Sequence, residues 1–136
     1  MRGAIRVNLM AVVIAGAALS AGCAAAVGAG AGAAAAIHLS DRGAESLVGA
    51  NVDKAQEAAR KAFGEFNITE TKVKTETESG RNKRILEGTA PDREITVTIT
   101  TEGSGAKVEV VAKKSAVTWD KDYAKAILQR VISLAA

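Results

Sequence analysis

The stretch EITVTITT, residues 94–101, alternates branched apolar residues with threonine, and this alternation constrains the fold more than any other segment. A β-strand points successive side chains to opposite faces. One face would carry Ile95, Val97 and Ile99, and the other Thr96, Thr98 and Thr100. A strand that is apolar on one side and polar on the other is typical of an antiparallel sheet that is covered on one face only.

Six further segments have the pattern of a regular element. Strands are predicted in residues 44–50, 66–77, 83–89 and 107–113, and amphipathic helices are predicted after Asn51 and from Trp119-Asp120 onwards. The predicted order is β-α-β-β-β-β-α. Because two amphipathic helices can cover one face of a four-stranded meander, we expect an α+β fold with two layers, an antiparallel sheet and two packed helices.

The boundaries of the first helix follow from capping residues. Asn51 is the expected N-cap, with Asp53 favourable in the first turn. Gly64 is expected to end the helix in the left-handed conformation. In the strand that follows, the alternation changes phase between Ile68 and Val73, which predicts a β-bulge.

The connections and the last helix are marked by turn and cap residues. Residues 78–82, ESGRN, are predicted to form a loop, Pro91 occupies the second position of a turn, and residues 103–105, GSG, turn the chain again. Asp120 is the expected cap of the second helix. The predicted apolar stripe of this helix, with an arginine at its edge, comprises Tyr123, Ala126, Ile127, Arg130, Val131 and Leu134.

The N-terminus has the pattern of a secretory signal peptide. Residues 1–8 contain Arg2 and Arg6 and no acid, and residues 9–19, LMAVVIAGAAL, form an apolar run of 11 residues. A helix needs roughly 20 residues to cross ~30 Å of hydrocarbon, so this run is too short to span a membrane. A basic start, a short apolar middle and small residues after it indicate a signal peptide, which we assign to residues 1–22.

The only cysteine, Cys23, follows this segment directly. Residues 19–23, LSAGC, resemble the lipobox of bacterial lipoproteins, with alanine and glycine in the two positions before the cysteine. The resemblance implies cleavage between Gly22 and Cys23, a diacylglycerol on the Cys23 thiol, and a fatty acyl chain such as palmitate on the new amine. Two or more chains anchor a domain stably, whereas one chain binds a membrane only marginally.

The residue after the cysteine bears on localisation. In lipoproteins resembling the enterobacterial ones, an aspartate at this position tends to retain the protein in the inner membrane. Ala24 stands there instead. The resemblance therefore implies a protein of the outer membrane that faces the periplasm.

Residues 24–36, AAAVGAGAGAAAA, contain one valine and otherwise only alanine and glycine. The glycines favour a flexible spacer. Small residues at these spacings also suit a helix that enters the bilayer or self-associates, and an uncleaved span over residues 7–37 is a third alternative. We assign residues 23–40 to the lipidated cysteine and tether, and residues 41–136, which hold every acidic residue, to a periplasmic domain.

The chain also resembles a family of small bacterial lipoproteins of unknown function. The resemblance covers most of residues 19–135 and is carried by the lipobox, the alanine and glycine run, a helix ending in Phe63-Gly64, a strand pair around Pro91-Asp92, and the closing helix. Where this family often has Gly-Asp before the last helix, this chain has Trp119-Asp120. The family has no established activity, so the resemblance implies no catalytic residues.

Composition argues against several classes of function. Arg2 and Arg6 lie before Cys23, and without them the chain has 16 basic against 15 acidic residues, so nucleic-acid binding is not indicated. His38 is the only histidine and would lie beside the tether, so the sequence predicts no metal site, no cofactor and no nucleophile-base pair. The scattered glutamates are more typical of a solvated sheet face than of an acid-base pair. We expect a protein that is not an enzyme.

Two surfaces are candidates for binding. The threonine face is either solvated or docks an envelope protein partner; a docking site would comprise Trp119, Thr96, Thr98 and Thr100, since aromatic anchors dominate interfaces. Arg81, Lys83 and Arg84 form a basic group that belongs either to a soluble hairpin tip or to a contact with lipid phosphates. An alternative function is the carriage of a small amphiphile between helix and sheet, where Ala55, Ala59 and Ala62 leave room.

Overall fold

A computed structural model describes residues 36–136, and the predicted signal peptide, Gly22 and Cys23 lie outside the described residues. The elements in chain order are β1 (His38–Leu39), β2 (Gly43–Val48), α1 (Val52–Glu65), β3 (Thr69–Glu78), β4 (Arg81–Ala90), β5 (Arg93–Glu102), β6 (Gly105–Ser115), β7 (Thr118–Trp119) and α2 (Lys121–Ala135). The predicted α+β fold is confirmed. Two short strands, β1 and β7, add to the predicted order.

All described strands belong to one antiparallel sheet with the order β1-β2-β6-β5-β4-β3, in which β7 also pairs with β6. Strands β3 to β6 form the expected meander. Strand β2 pairs with β6 on the side opposite to β5, whereas β3 lies at the other end of the sheet. Helix α1, which connects β2 to β3, therefore carries the chain across the sheet. The helices α2 and α1 lie side by side on one face, α2 over β2 and β6 and α1 over β3 to β6.

The start of α1 is as predicted. The side-chain oxygen of Asn51 accepts a hydrogen bond of 2.9 Å from the Lys54 N–H, and Asp53 lies in the first turn. These contacts satisfy a donor that the helix itself leaves without a partner and place a negative charge near the positive end of the helix dipole.

The predicted end of α1 at Gly64 is wrong. The helix continues to Glu65, and the residue in the left-handed conformation is Asn67, with a φ of 54°. The Ile68 N–H donates to the Phe63 carbonyl at 2.8 Å and the Asn67 N–H to the Gly64 carbonyl at 3.3 Å, which is the hydrogen-bond pattern of a Schellman motif. This later ending brings the Ile68 side chain back into the core beside Phe63.

The predicted bulge is present in β3, where the register with β4 shifts between Glu70 and Lys72. The hydroxyl of the extra residue, Thr71, donates to the Glu87 carbonyl at 3.2 Å. From Lys72 to Glu78 the ladder with β4 is regular. The bulge therefore reconciles the two phases of alternation that the sequence contains.

The predicted loop over residues 78–82 is too long. Glu78 ends β3 and Arg81 begins β4, so the connection is a two-residue turn of Ser79 and Gly80, with φ angles of 51° and 77°. Two successive positive φ angles are the signature of the type I′ turn, whose twist matches that of the flanking strands. The turn at Pro91 is confirmed. Asp92, the third residue of this turn, has a positive φ of 65°.

The core lies between the helices and one face of the sheet. The alternation in β5 is confirmed, because Ile95, Val97 and Ile99 are at most 1% exposed. Gly88 of β4 leaves room for the Phe63 side chain. A Cβ atom at position 88 would lie 2.9 Å from Phe63 Cε2 and 2.6 Å from Ile68 Cγ2. The absence of a side chain at Gly88 thus lets the end of α1 approach the sheet.

The buried stripe of α2 differs from the predicted one. Ile127 and Val131 are buried as expected, but the other buried residues are Ala124, Leu128 and Ala135, whereas Tyr123, Ala126, Arg130 and Leu134 are only partly buried. The helix is thus rotated relative to the predicted stripe. The reason is tertiary: α2 packs against α1 on one side and against β2 and β6 below, so a broader arc of the helix is covered than a single stripe predicts.

Candidate functional site

The face of the sheet opposite the helices, which carries Thr96, Thr98 and Thr100, is here called the open face. Cross-strand pairing places Thr96 beside Val111, Thr98 beside Glu109, and Thr100 beside Lys107 on β6. All three threonines are partly buried, because neighbouring side chains of β4 and β6 flank them. The open face therefore has a flat central column of small hydroxyl-bearing side chains.

Paired charges surround this column. On the β4 side, Lys74 Nζ lies 3.3 Å from Glu87 Oε1 and Lys83 Nζ lies 3.5 Å from Glu76 Oε2. On the β2 side, Lys107 Nζ lies 3.3 Å from Glu45 Oε2. Each of these bases faces an acid on the same face of the sheet, so the open face presents paired charges of both signs rather than a field of one sign.

Trp119 lies at a corner of the open face. It pairs with Lys113 across the β6–β7 ladder, and Lys113 is on the same side of the sheet as Thr96. The Arg42 guanidinium carbon lies over the Trp119 ring, 5.4 Å from its centroid, which is a cation–π contact. Because β6 runs between β7 and β5, the structure places Trp119 and the threonines on one face but not side by side.

The large exposed hydrophobic residues among those described are Leu39, 55% exposed, and Val117, 79% exposed. Val117 lies in the turn between β6 and β7, and Leu39 pairs with Ala44, on the helix side of the sheet. The threonine column carries neither of them. Contacts made on the open face would therefore rest on the threonines, on Ile85 and Val111 beside them, and on paired charges, with Trp119 as an aromatic anchor at one corner.

The basic group of Arg81, Lys83 and Arg84 is divided between the two faces. Lys83 pairs with Glu76 on the open face, and Arg81 Nη1 lies 3.8 Å from Glu102 Oε2. Arg84 points to the helix side, where its Nη2 lies 3.3 Å from Asp53 Oδ1 and its Nη1 donates to Gln56 at 3.2 Å. Since each base faces an acid and the three diverge, they do not form a common phosphate-binding patch.

A polar cluster at the start of α2 joins three parts of the chain. Asp120 caps α2 as predicted, accepting from the Tyr123 N–H at 3.0 Å, and its other oxygen lies 2.9 Å from Arg93 Nη2. The backbone hydrogen bond from Tyr123, together with the charge of Arg93 and Lys114, lowers the pKa of Asp120 against the opposing effect of its partial burial. Arg93 in turn stacks on the Tyr123 ring at 4.5 Å.

The sequence predicts the Asp120 cap but not its ion pair, because Arg93 lies 27 residues away in the chain. Tyr123 also makes an edge-to-face contact with Phe66, with ring centroids 5.8 Å apart. The cluster thus ties the β4–β5 turn, the end of α1 and the start of α2 together. Its chemistry is that of a structural anchor: a carboxylate held by a helix N-terminus and a guanidinium.

An open groove of about 450 Å³ lies on the outside of the helical layer. Its lining residues come from the end of α1 and one side of α2: Glu65, Phe66, Ala126, Gln129, Arg130 and Ser133. Arg130 donates to Glu65 through Nη2 at 2.8 Å, and this bond lowers the pKa of Glu65. The sequence prediction missed the groove, because it forms only where two helices meet.

The alanines that the amphiphile-carrier hypothesis invokes lie in the core. Ala55, Ala59 and Ala62 have no exposed surface and belong to the same apolar cluster as the sheet residues. Small side chains at these positions let α1 lie close to β4 and β5. The groove described above is on the other side of the helices, away from these alanines.

The part of the chain that the structure describes has one histidine and no cluster of metal-ligating side chains. His38 is exposed in β1, opposite Glu45. Among residues 36–136, no group of three or more His, Cys, Asp or Glu side chains is placed to hold a metal ion. Over the same residues, neither helix has the length and apolar character needed to cross a membrane.

The comparisons with known proteins leave the resemblance to lipoproteins of unknown function as an expectation from the sequence. No protein-family model, no curated protein and no solved structure matches this chain.

Proposed function

We propose that the chain is a lipid-anchored lipoprotein of the bacterial cell envelope that displays a non-catalytic binding or structural module into the periplasm. The observation that carries the proposal is the order of features before the folded part. A basic start, an apolar run of 11 residues and small residues lead directly to the one cysteine of the chain. A lipobox requires this order. Lipidation would also account for the position of the single thiol directly after the apolar run.

Lipidation at Cys23 would hold the protein firmly. Each buried methylene contributes ~0.8 kcal/mol, so a diacylglycerol and a further acyl chain together exceed the marginal binding of one chain. Residues 24–37 separate Cys23 from the first described strand. Fourteen residues reach at most about 50 Å when fully extended, so the tether would keep the module near the membrane.

A non-catalytic role is supported by the surroundings of three of the acidic residues. Glu76 and Glu87 each face a lysine on the open face. Asp120 is held by a backbone N–H and by Arg93. These carboxylates have structural partners, and their pairing favours a role in maintaining the domain over a role in proton transfer.

For the module itself, we favour docking of an envelope protein partner on the open face over carriage of an amphiphile. The open face offers a flat threonine column, paired charges and Trp119 at its corner. The carrier needs a cavity between helix and sheet, where Ala55, Ala59 and Ala62 are completely buried. The outer groove, crossed by the Arg130–Glu65 pair, is the alternative place for a small amphiphile.

Substitution of the cysteine tests the anchor. Cys23→Ser removes the thiol while keeping the size of the side chain, and Ala25→Ser introduces the same residue two positions later as a matched control. Cells making each variant are labelled with an alkyne analogue of palmitate, and the membrane and soluble fractions are compared. We expect label and membrane association in the wild type and Ala25→Ser, and loss of label with accumulation of the uncleaved precursor in Cys23→Ser.

The anchor proposal is abandoned if Cys23→Ser is processed like the wild type and remains wholly with the membranes. Absence of label from the wild type would also contradict it. Mass determination of the mature N-terminus separates this outcome from poor labelling, because a lipidated protein begins at Cys23 and carries the added mass of the acyl chains.

Two matched arginine substitutions test the binding module. Thr98→Arg adds a bulky cation to the centre of the open face, and Gln129→Arg adds the same group to the outer groove. After crosslinking in cells, we expect a specific protein adduct to be lost in Thr98→Arg and kept in Gln129→Arg. Retention of a lipid by the wild type in native mass spectrometry, with loss in Gln129→Arg alone, would favour the carrier instead.

A further inference from the structure

Strand β3 has a free edge in the part of the chain that the structure describes. The sheet ends at β3, which pairs with β4 on one side only, and eight of its ten residues are exposed. A free edge of this length presents a row of unpaired backbone N–H and C=O groups, which another strand can extend. The partner that fits this edge can be identified from the charges it carries.

The open-face side of β3 carries two bases followed by two acids. Lys72, Lys74, Glu76 and Glu78 alternate with residues that face the helix side, and each is paired with an open-face position of β4. Lysine on an edge strand usually blocks pairing, because an approaching strand brings no matching charge. The order Lys-Lys-Glu-Glu is different. When two copies of this strand pair antiparallel, the order in the second copy is reversed, so that each lysine can lie opposite a glutamate.

We propose that the free edge of β3 pairs antiparallel with β3 of a second copy of this chain, about a two-fold axis at Thr75. In this register Lys72 lies opposite Glu78 of the other copy, and Lys74 lies opposite Glu76. Two-fold symmetry repeats both contacts, which gives four oppositely charged cross-strand pairs. The two sheets become one continuous sheet across the interface.

The charges also select this register over its neighbours. A shift of two residues in one direction places Lys74 opposite Lys74 of the other copy, and a shift in the other direction places Glu76 opposite Glu76. Like charges directly opposite each other destabilise a strand pair. A shift of one residue would move every side chain to the wrong face of the joined sheet.

The environment of the four charges agrees with this pairing. Lys74 and Glu76 each have a partner within their own copy, Glu87 and Lys83. Lys72 and Glu78, at the two ends of the set, form no ion pair within residues 36–136. Lys72 and Glu78 stand opposite Glu87 and Arg81 in the β3–β4 ladder, but their charged atoms do not come within ion-pair distance there. The dimer would offer each of these end charges an opposite charge on its other side.

The backbone of β3 limits the pairing to the same segment. The ladder is regular from Lys72 to Glu78, and the bulge at Thr71 ends the flat part of the strand on one side. The turn at Ser79 and Gly80 ends it on the other. On the helix side, the segment would place Val73 opposite Thr77 and Thr75 opposite its copy, and such β-branched residues are favourable in strands.

A single cysteine on the axis tests the proposal in the full chain. Directly opposed residues of antiparallel strands have Cα atoms ~4.5 to 5.5 Å apart, within the span of a disulfide. Thr75→Cys should therefore link two copies under mild oxidation in membranes or in a detergent extract. Thr77→Cys is the matched control: it lies on the same strand and the same side, but its copy would be about 13 Å away along the strand, beyond disulfide reach.

The expected result is a disulfide-linked dimer of Thr75→Cys on a non-reducing gel, with Thr77→Cys and the parent chain remaining monomeric. The parent also measures any contribution of Cys23. Equal crosslinking of the two variants, a Thr75→Cys that stays monomeric, or a link from Thr75→Cys to a different protein would each overturn the proposal.

Charge reversal supplies a second test, which asks whether the four charges of β3 decide which copies pair. In the Thr75→Cys background, K72E/K74E makes all four charges negative and E76K/E78K makes all four positive. Each variant alone should lose the crosslinked dimer, and co-expression of the two with different tags should restore it as a mixed dimer. Circular dichroism of each variant checks that the fold is retained; folded variants that crosslink alone as well as when mixed contradict the proposal.

Discussion

The two faces of the sheet use the same strands for different purposes. In β5 the apolar residues Ile95, Val97 and Ile99 are at most 1% exposed beneath the helices. The threonines between them lie on the open face among paired charges. The helix side therefore holds the packing that stabilises the domain, and the open face holds side chains whose replacement leaves the core intact.

This difference explains how one strand can contribute both to the stability of the domain and to a binding surface. Apolar burial contributes roughly 25 cal/mol per Å² removed from water, so the helix side dominates the free energy of unfolding. Exposed ion pairs such as Lys74–Glu87 contribute about 0–1 kcal/mol each. The open face can thus be shaped for contact with a partner without much loss of stability, and the following predictions test this division from the largest effect to the smallest.

The largest effect is expected where adjacent residues of β4 point to opposite faces. Leu86 is fully buried, whereas Ile85 lies on the open face and is partly exposed. Leu86→Ala should lower the free energy of unfolding by about 2–5 kcal/mol, because it leaves a cavity in the core. Ile85→Ala is the control, and its loss should be much smaller. Urea denaturation measures both; equal losses would contradict the proposed division of the sheet.

The next effect comes from crowding on the helix side. Gly88→Ala would place a Cβ 2.6 Å from Ile68 Cγ2 and 2.9 Å from Phe63 Cε2, so we expect a loss of about 1–3 kcal/mol by overpacking. Gly64→Ala is the matched control, because a Cβ at this helical position meets no atom within 4 Å. It should stabilise the domain by about 0.5–1 kcal/mol through lower backbone entropy. Melting temperatures that fall for both variants would contradict this account.

A smaller, pH-dependent effect is expected at Asp120. Its pKa is lowered in the folded state, so its charge stabilises the fold above the unfolded pKa of about 3.9, and this contribution disappears as the pH falls through the lowered folded value. Asp120→Asn keeps a capping oxygen but removes the charge that faces Arg93. We expect it to lose about 1–2 kcal/mol at neutral pH.

The pH profile checks the sign of the Asp120 effect. The difference between the wild type and Asp120→Asn should shrink as the pH falls below the lowered pKa, where the wild-type carboxyl group is also neutral. Glu87→Gln, which removes a charge from the open-face pair with Lys74, is the control and should change stability by about 0–1 kcal/mol. A gap between wild type and Asp120→Asn that widens in acid would show that the charge does not stabilise the fold.

The smallest effect is expected on the threonine column. Thr98→Val keeps the shape and the β-branch of the side chain and removes a hydroxyl group that is only partly buried. Its effect on the free energy of unfolding should be within about 0.5 kcal/mol. The reverse change on the next residue, Val97→Thr, buries a hydroxyl group and should cost about 1–3 kcal/mol. If denaturation curves show a larger loss of stability for Thr98→Val than for Val97→Thr, the proposed difference between the helix side and the open face is contradicted.

Much of the local structure could be predicted because its causes are close together in the chain. The alternation of Ile95 to Thr100, the caps at Asn51 and Asp120, the turn at Pro91 and the bulge before Val73 each depend on residues a few positions apart. Local signals failed where another part of the fold competed with them. Gly64 does not end α1, because the helix continues until Asn67 turns the chain and Ile68 returns to Phe63 in the core.

The candidate surfaces depend on contacts that no short segment contains. The sequence predicts that Thr96, Thr98 and Thr100 share a face, and they do, but the position of Trp119 relative to them follows from β7 pairing with Lys113. Arg84 lies beside Lys83 in the sequence, yet it faces Asp53 of α1 because adjacent strand residues point to opposite sides. The outer groove arises only where α1 and α2 meet.

The sequence by itself determined the order of elements, the two-sided character of the sheet and the position of the one cysteine, since periodicity, capping and composition act along the chain. Only the tertiary structure decided that β2 lies beside β6, that Asp120 meets Arg93, and that β3 with its Lys-Lys-Glu-Glu set is at the edge of the sheet formed by residues 36–136. The physical reason is that strand neighbours and ion pairs are chosen by which packing covers the apolar face as a whole. Such a choice depends on every element at once and leaves no signal within any one of them.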